Sequence, residues 1–204
     1  MTMKIHHAPN TRSVRTVWLF EELGLPYDIQ FHKLGDPEMR SPEYRKIHPM
    51  GRVPALEDGD VTILESGAIV EYVLSKYGEG RMRPTPDSAN FAGYLQWLHY
   101  AEGMIMPPMN TLVVETILLP PERRTEINVK RSTKLLGQML TAVNTQLSDK
   151  AFLVGSEISA ADFMTGHAVI TSRRLGIDMS AMPNLKSYAE RLSSRQAFVR
   201  AELL

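Results

Sequence analysis

The stretch His48-Pro49-Met50-Gly51-Arg52-Val53-Pro54-Ala55-Leu56-Glu57-Asp58-Gly59-Asp60-Val61-Thr62-Ile63-Leu64-Glu65-Ser66 decides the fold of this 204-residue chain. Two short apolar-rich runs, Val53–Glu57 and Val61–Leu64, flank Asp58-Gly59-Asp60. Glycine accepts positive φ, so the runs read as the antiparallel strands of a hairpin. Upstream, Gly51 permits a tight turn, and Pro54 at the start of a strand cannot donate a ladder hydrogen bond. Downstream, Ser66–Tyr77 carries Ile69, Val70, Val73 and Leu74 at helical spacing and ends at Gly78.

Toward the N-terminus, Met3–His7 is a short strand and Ser13–Leu23 a helix with Val14, Val17 and Trp18 on one face. Gly24 and Pro26 end it, one as a left-handed cap and the other because proline cannot continue a helix. Tyr27–Lys33 alternates Tyr27, Ile29 and Phe31 with Asp28, Gln30 and His32, the period of a half-buried strand. Pro42–Ile47 supplies one or two helical turns. The order β-α-β-α-β-β-α predicts a mixed four-stranded sheet, parallel across the first strand–helix–strand unit and antiparallel at the hairpin. That is a thioredoxin-like α/β layout for residues 1–80. The two prolines of Arg81-Met82-Arg83-Pro84-Thr85-Pro86-Asp87 mark a linker. Residues 88–204 read as an all-α C-terminal domain, with helices over Asn90–Leu118 (bent near Pro107-Pro108), Glu122–Leu147, Ala160–Leu175 and Leu185–Leu204.

Composition removes several functions. Lys plus Arg and Asp plus Glu both number 23, so there is no basic field to attract nucleic acid or an anionic membrane. Cysteine is absent, which excludes disulfides, thiolate metal sites and redox pairs; thiol chemistry here needs a thiol brought by a ligand. His6 and His7 lie on opposite faces of one strand, against paired metal ligation, and no metal is expected. The chain offers neither a signal-peptide pattern nor 18 consecutive apolar residues, so the expected location is cytoplasmic.

Three segments are candidates for chemistry. In the first, a cis Pro54 would turn the Val53 backbone toward a ligand; otherwise the segment is a loop entering a hairpin. In the second, Glu65-Ser66, the helix N-terminus suits a carboxylate and Glu65 an ammonium, as in an α-amino acid head group; the alternative is plain capping by Ser66. In the third, Pro9-Asn10-Thr11-Arg12-Ser13, Thr11 and Ser13 are either caps or donors to a ligand sulfur. A hydrogen bond to a thiolate contributes about 1.5–3 kcal/mol, which lowers a thiol pKa by about one to two units.

In this order and spacing, the three segments resemble those of the glutathione S-transferase family. Arg15-Thr16-Val17-Trp18-Leu19-Phe20-Glu21-Glu22-Leu23-Gly24-Leu25-Pro26-Tyr27 is similar to its first helix and second strand. Ser41-Pro42-Glu43-Tyr44, Pro49–Asp58 and Leu64-Glu65-Ser66-Gly67-Ala68-Ile69 resemble its glutathione-site core. Phe152-Leu153-Val154-Gly155 with Ser159-Ala160-Ala161-Asp162-Phe163 resembles its capping box and hydrophobic staple, in which Ser159 caps the amide near Asp162 and Asp162 reaches back.

The resemblance implies glutathione as co-substrate with no further cofactor. Val53 and Pro54 would bind its cysteinyl part, Glu65 and Ser66 its γ-glutamyl head, and Arg52 with Arg40 its glycine carboxylate. The sulfur partner is Thr11, where relatives read serine, then Asn10, then Ser13. Trp97, Tyr100, Met104, Met106 and Met109 are candidate walls of an electrophile pocket, or simply core. The implied activity is conjugation of glutathione to electrophiles, or peroxide reduction, by a homodimer. The rival reading is a binding, scaffold or regulatory protein with weak turnover. Where relatives carry asparagine, this chain has His48.

Overall fold

The computed structural model describes residues 2–204. Contacts divide the chain into two units, one running through Arg81 and taking back Ser194–Leu204, the other Met82–Ser193.

The first unit follows the expected element order: β1 (Met3–His7), α1 (Ser13–Leu23), β2 (Tyr27–Phe31), a 3₁₀ turn (Pro37–Arg40), α2 (Pro42–Ile47), β3 (Ala55–Asp58), β4 (Val61–Leu64) and α3 (Ser66–Tyr77). The sheet order is β2-β1-β3-β4, parallel between β1 and β2 and antiparallel elsewhere. Ile5 opposes both Ile29 and Leu56, and the buried faces of α1 and α3 supply Val17, Phe20, Ile69 and Val73 to the core. Gly24 takes the left-handed conformation (φ 68°) and its N–H donates to the Phe20 carbonyl, closing α1 as its sequence requires. β2 stops at Phe31, two residues before the predicted end, and β3 starts at Ala55, after the proline.

The second unit is helical: α4 (Phe91–Tyr100), α5 (Met106–Val113), α6 (Glu126–Gln146), α7 (His167–Arg174) and α8 (Pro183–Ser193). The predicted helix over 90–118 is one run in which α4 passes through a π turn (Ala101–Ile105) into α5 and then a second π turn (Val114–Leu118). Pro107 and Pro108 lack the N–H groups an α-helix would use, and the widened turn lies just before them. A buried hub joins the remaining helices. Asp162 accepts from Leu153 N–H (3.0 Å), Ser159 N–H (2.8 Å), Ser159 Oγ (2.9 Å) and Tyr188 OH (2.7 Å). Asp162 therefore reaches back as expected. The Ser159 hydroxyl does not cap the Asp162 amide, however; it donates to the Asp162 carboxylate.

The sequence reading gives Leu185–Leu204 to the second domain as one helix, and the structure corrects both points. α8 ends at Ser193, Arg195 is extended, and α9 (Gln196–Leu203) packs on α1 of the first unit. Phe198 meets Trp18 edge-on at 4.8 Å between ring centroids, and Arg195 and Arg200 pair with Glu22 and Glu21. These partners lie more than 170 residues away, so the apolar stripe through 185–204 carried no sign of the break. Among the described residues no helix is long and apolar enough to cross a membrane.

Candidate functional site

The first unit holds a cleft lined by Arg12, His48, Arg52, Val53, Pro54, Glu65 and Ser66. The turn before α1, the β3 entrance and the start of α3 are far apart in sequence; the sheet order sets β1 beside β3 and brings them together.

Local constraints shape each wall. Gly51 has φ 59° and its N–H donates to His48 O at 2.7 Å. A Cβ there would stand 2.1 Å from the Met39 carbonyl oxygen, so no side chain fits. Tyr44, buried, donates its hydroxyl to Arg52 O at 2.7 Å and anchors the peptide that leads into Val53. The Val53–Pro54 peptide is cis, and Val53 lies outside the ladder that begins at Ala55. On the opposite wall Glu65 has φ 69°, a conformation that costs a non-glycine residue about 1–3 kcal/mol and occurs preferentially at functional positions. Glu65 occupies the N-cap position of α3 without a side-chain cap. Ser66 is buried, and its Oγ accepts from Arg15 Nη1 at 3.0 Å. Plain capping by Ser66 is thereby corrected: a fully buried guanidinium beneath the helix start holds its hydroxyl.

His48 presents its imidazole to the same cleft, and its buried Nδ1 meets no hydrogen-bond partner. Burial holds it below the ordinary imidazole value; Glu65 pulls it up and Arg52 pushes it further down. It is a neutral group between an acid and a base.

The turn carrying Asn10, Thr11 and Ser13 adjoins the cleft through Arg12, although none of the three lines it. Asn10 is exposed with φ 59°, a conformation asparagine tolerates. Thr11 Oγ1 is half-buried, 2.8 Å from Ala8 O and 2.7 Å from Ser13 Oγ, and it accepts from Ser13 N–H at 3.2 Å. Ser13 is fully buried. Its Oγ also lies 2.9 Å from His7 Nδ1 and accepts from Ala8 N–H at 3.1 Å. His7 is fully buried too, and burial pulls it down to about 4. His6, pointing the other way, meets Glu57 at 2.8 Å and His32 at 2.9 Å.

The structure thus brings together Arg52, Val53, Pro54, Glu65 and Ser66 in one cleft. Arg40 ends the 3₁₀ turn, exposed and outside the lining. In the second unit Trp97, Met106 and Met109 are buried core, Tyr100 is half-buried with its hydroxyl on Met139 O at 3.1 Å, and Met104 is exposed. Sequence reasoning assigned no role to Arg12 or His48. The signal for Arg12 was its place inside the turn already read as ligand-facing.

Residues 1–75 match the model of the glutathione S-transferase N-terminal domain and residues 105–196 that of the C-terminal domain. The chain is similar to glutathione S-transferase 3 of Schizosaccharomyces pombe, 29% identical over 203 residues, covering 95% of this chain and 84% of the relative. A crystal structure of a Phanerochaete chrysosporium glutathione transferase with oxidized glutathione superposes with a TM-score of 0.88 at 25% identity, covering 98% of this chain and 93% of that one. The fold also matches a glutathione transferase homolog from Lodderomyces elongisporus, TM-score 0.91 at 20% identity, over 100% of this chain and 98% of that one. Carrying both of its domains over most of its length, the chain belongs to the glutathione S-transferase family.

Proposed function

We propose that the chain is a glutathione transferase that binds glutathione in the cleft of the first unit, favours its thiolate and conjugates it to small electrophiles. The supporting observation is the charge set of the cleft: Arg52 against Glu65, beside the α3 N-terminus. Glutathione carries two carboxylates and one ammonium, which the Arg52 guanidinium, the α3 N-terminus and the Glu65 carboxylate complement in turn. Glu65 takes the ammonium, the α3 amides at Ser66 the adjacent carboxylate, and Arg52 the glycine carboxylate through its planar fork. Val53, outside the ladder, offers its backbone to the cysteinyl peptide groups. The sulfur then falls to the Asn10–Ser13 turn, where the Thr11 hydroxyl is the donor of choice because Ser13 is fully buried.

Chemistry follows from the thiolate. The thiol proton leaves to water, a sulfur lone pair forms the new S–C bond, and the leaving group departs with the old bonding pair. Stabilising the anion by one hydrogen bond and holding it beside the acceptor provides the rate gain. The family's homodimer fits the exposed apolar side chains Phe31, Leu34 and Met50 of the first unit.

The test is a titration of bound glutathione by thiolate absorbance, with turnover measured on an aryl halide. Thr11→Ala is expected to raise the bound thiol pKa by about one to two units. Arg52→Ala is expected to weaken glutathione binding by about tenfold, some 1.4 kcal/mol, with kcat at saturation changed little. Glutathione binding without turnover on any electrophile would favour a binding protein instead; affinity unmoved by Arg52→Ala would refute the carboxylate role.

A further inference from the structure

We propose that His7 and Ser13 are positioning residues that fix which way the Thr11 hydroxyl directs its proton, leaving Thr11 able to donate to a bound sulfur and unable to accept from it. The proposal rests on the reading that a thiol binds at this turn.

The argument is a count of protons. A serine hydroxyl has one proton and two lone pairs, yet Ser13 Oγ lies within hydrogen-bond distance of four groups. These are Ala8 N (3.1 Å), Ala8 O (3.1 Å), His7 Nδ1 (2.9 Å) and Thr11 Oγ1 (2.7 Å). Ala8 N–H fills one lone pair in every arrangement. What remains is decided by His7, whose other ring nitrogen, Nε2, is buried with no partner. If Nε2 carried the hydrogen, a donor would be orphaned in the interior, the rarer and costlier defect; a bare Nε2 leaves only an acceptor unmet. The hydrogen therefore sits on Nδ1 and points at Ser13 Oγ, filling its second lone pair.

The Ser13 proton then has two acceptors within reach, Ala8 O at 3.1 Å and Thr11 Oγ1 at 2.7 Å, and the shorter contact takes it. Thr11 Oγ1 also receives Ser13 N–H at 3.2 Å, so both its lone pairs are taken. Its own proton rests on Ala8 O at 2.8 Å and is the one group it can offer a ligand. Turning that proton toward a sulfur releases Ala8 O, because the single Ser13 proton stays on Thr11 Oγ1. A neutral thiol finds no acceptor at Thr11, whereas a thiolate finds a donor. In the opposite tautomer Ser13 would donate to His7 and Thr11 would donate inward to Ser13, leaving a lone pair that welcomes the neutral thiol. The histidine tautomer, two hydroxyls from the site, thus selects the ionised form of the ligand. No proton is transferred along the chain; only its direction is set.

The first measurement needs no variant. Nitrogen-15 NMR of the wild-type imidazoles is expected to place the His7 hydrogen on Nδ1; a hydrogen on Nε2 overturns the proposal. The second uses bound glutathione. Ser13→Ala and His7→Leu are each expected to raise the thiol pKa by about one unit with glutathione affinity little changed, and to move the acidic limb of kcat/KM for the electrophile at saturating glutathione upward by the same amount. His7→Asn, which keeps an N–H near the Nδ1 position, is expected to restore the wild-type value. In a Thr11→Ala background His7→Leu should add nothing, because the hydroxyl being directed is gone. If the wild type lowers the thiol pKa and Ser13→Ala leaves it there, this proposal fails and the transferase reading stands. A wild-type protein that binds no glutathione sinks both.

Discussion

Each unit of the protein has a buried polar hub of four contacts, and the two are built on opposite principles. In the second unit Asp162 receives four donors, so every hydrogen bond has a single possible direction. In the first unit Ser13 has four neighbours and one proton, so the same heavy-atom geometry supports more than one pattern of donation. A carboxylate hub welds backbone turns together. A hydroxyl hub can orient a group at a site, because its direction is chosen by a distant partner. The contrast separates stability from function: damage to the Asp162 hub should unfold the protein, while damage to the Ser13 hub should change chemistry in a folded one.

The largest effect should come from Asp162→Ala. It strands two buried backbone N–H groups and the Tyr188 hydroxyl, at an expected cost of about 4 kcal/mol, read as a lower urea midpoint. The thiol pKa of glutathione bound to the remaining folded protein should stay at the wild-type value. A loss under about 1 kcal/mol would show that neighbouring groups or water replace the carboxylate, and the weld would lose its meaning.

Next in size is acid sensitivity in the first unit. Burial holds His7 at about 4 in the folded chain against about 6.5 when unfolded, so unfolding takes up a proton between those values. Its share of stability is complete above pH 6.5 and is lost as the pH falls toward 4, up to about 3 kcal/mol. His32 and His48 are also pushed down by burial and act in the same direction. Urea unfolding between pH 7 and 4.5 should show this slope, and His7→Asn, which does not titrate there, should flatten it. An unchanged slope would mean that His7 is as protonated folded as unfolded.

The two hubs also differ in how they can be read from sequence. Asp162 sits three residues from Ser159, and a local capping pattern announces it, although the hydroxyl donates where it was expected to accept. The strands, α1 and α3 were equally legible, since alternation, helical spacing and the glycines at 24 and 59 are local signals. Arg52, Val53, Glu65 and Ser66, which the family resemblance groups together, do line one cleft, because the sheet order sets β1 beside β3. The hydroxyl hub was not legible. His7 and Ser13 are bland at the end of a strand and the start of a helix, and their meaning depends on which proton points where. Arg12 and His48 were missed for a related reason: the sheet order, not their neighbours in sequence, places them in the cleft. α9 escaped detection because Trp18, Glu21 and Glu22 stop being distant only after folding.

The smallest effect tests whether the two sides of the cleft are separable. Tyr44 packs with Val53 in one buried cluster and donates its hydroxyl to Arg52 O at the cleft, and its ring lies 4.3 Å from that of His32. Tyr44→Phe keeps the ring and removes the bond, so stability should fall by about 1 kcal/mol. The same loosening of the Arg52–Val53 peptide should weaken glutathione binding by about fivefold in a calorimetric titration, since 1 kcal/mol is close to that ratio. The bound thiol pKa should not move, because the Tyr44 hydroxyl bonds Arg52 O rather than any group of the Thr11–Ser13–His7 chain. A pKa shift as large as that of Ser13→Ala would mean that the wall which grips the tripeptide also sets the charge on its sulfur. Binding and ionisation would then be one property of the cleft rather than two.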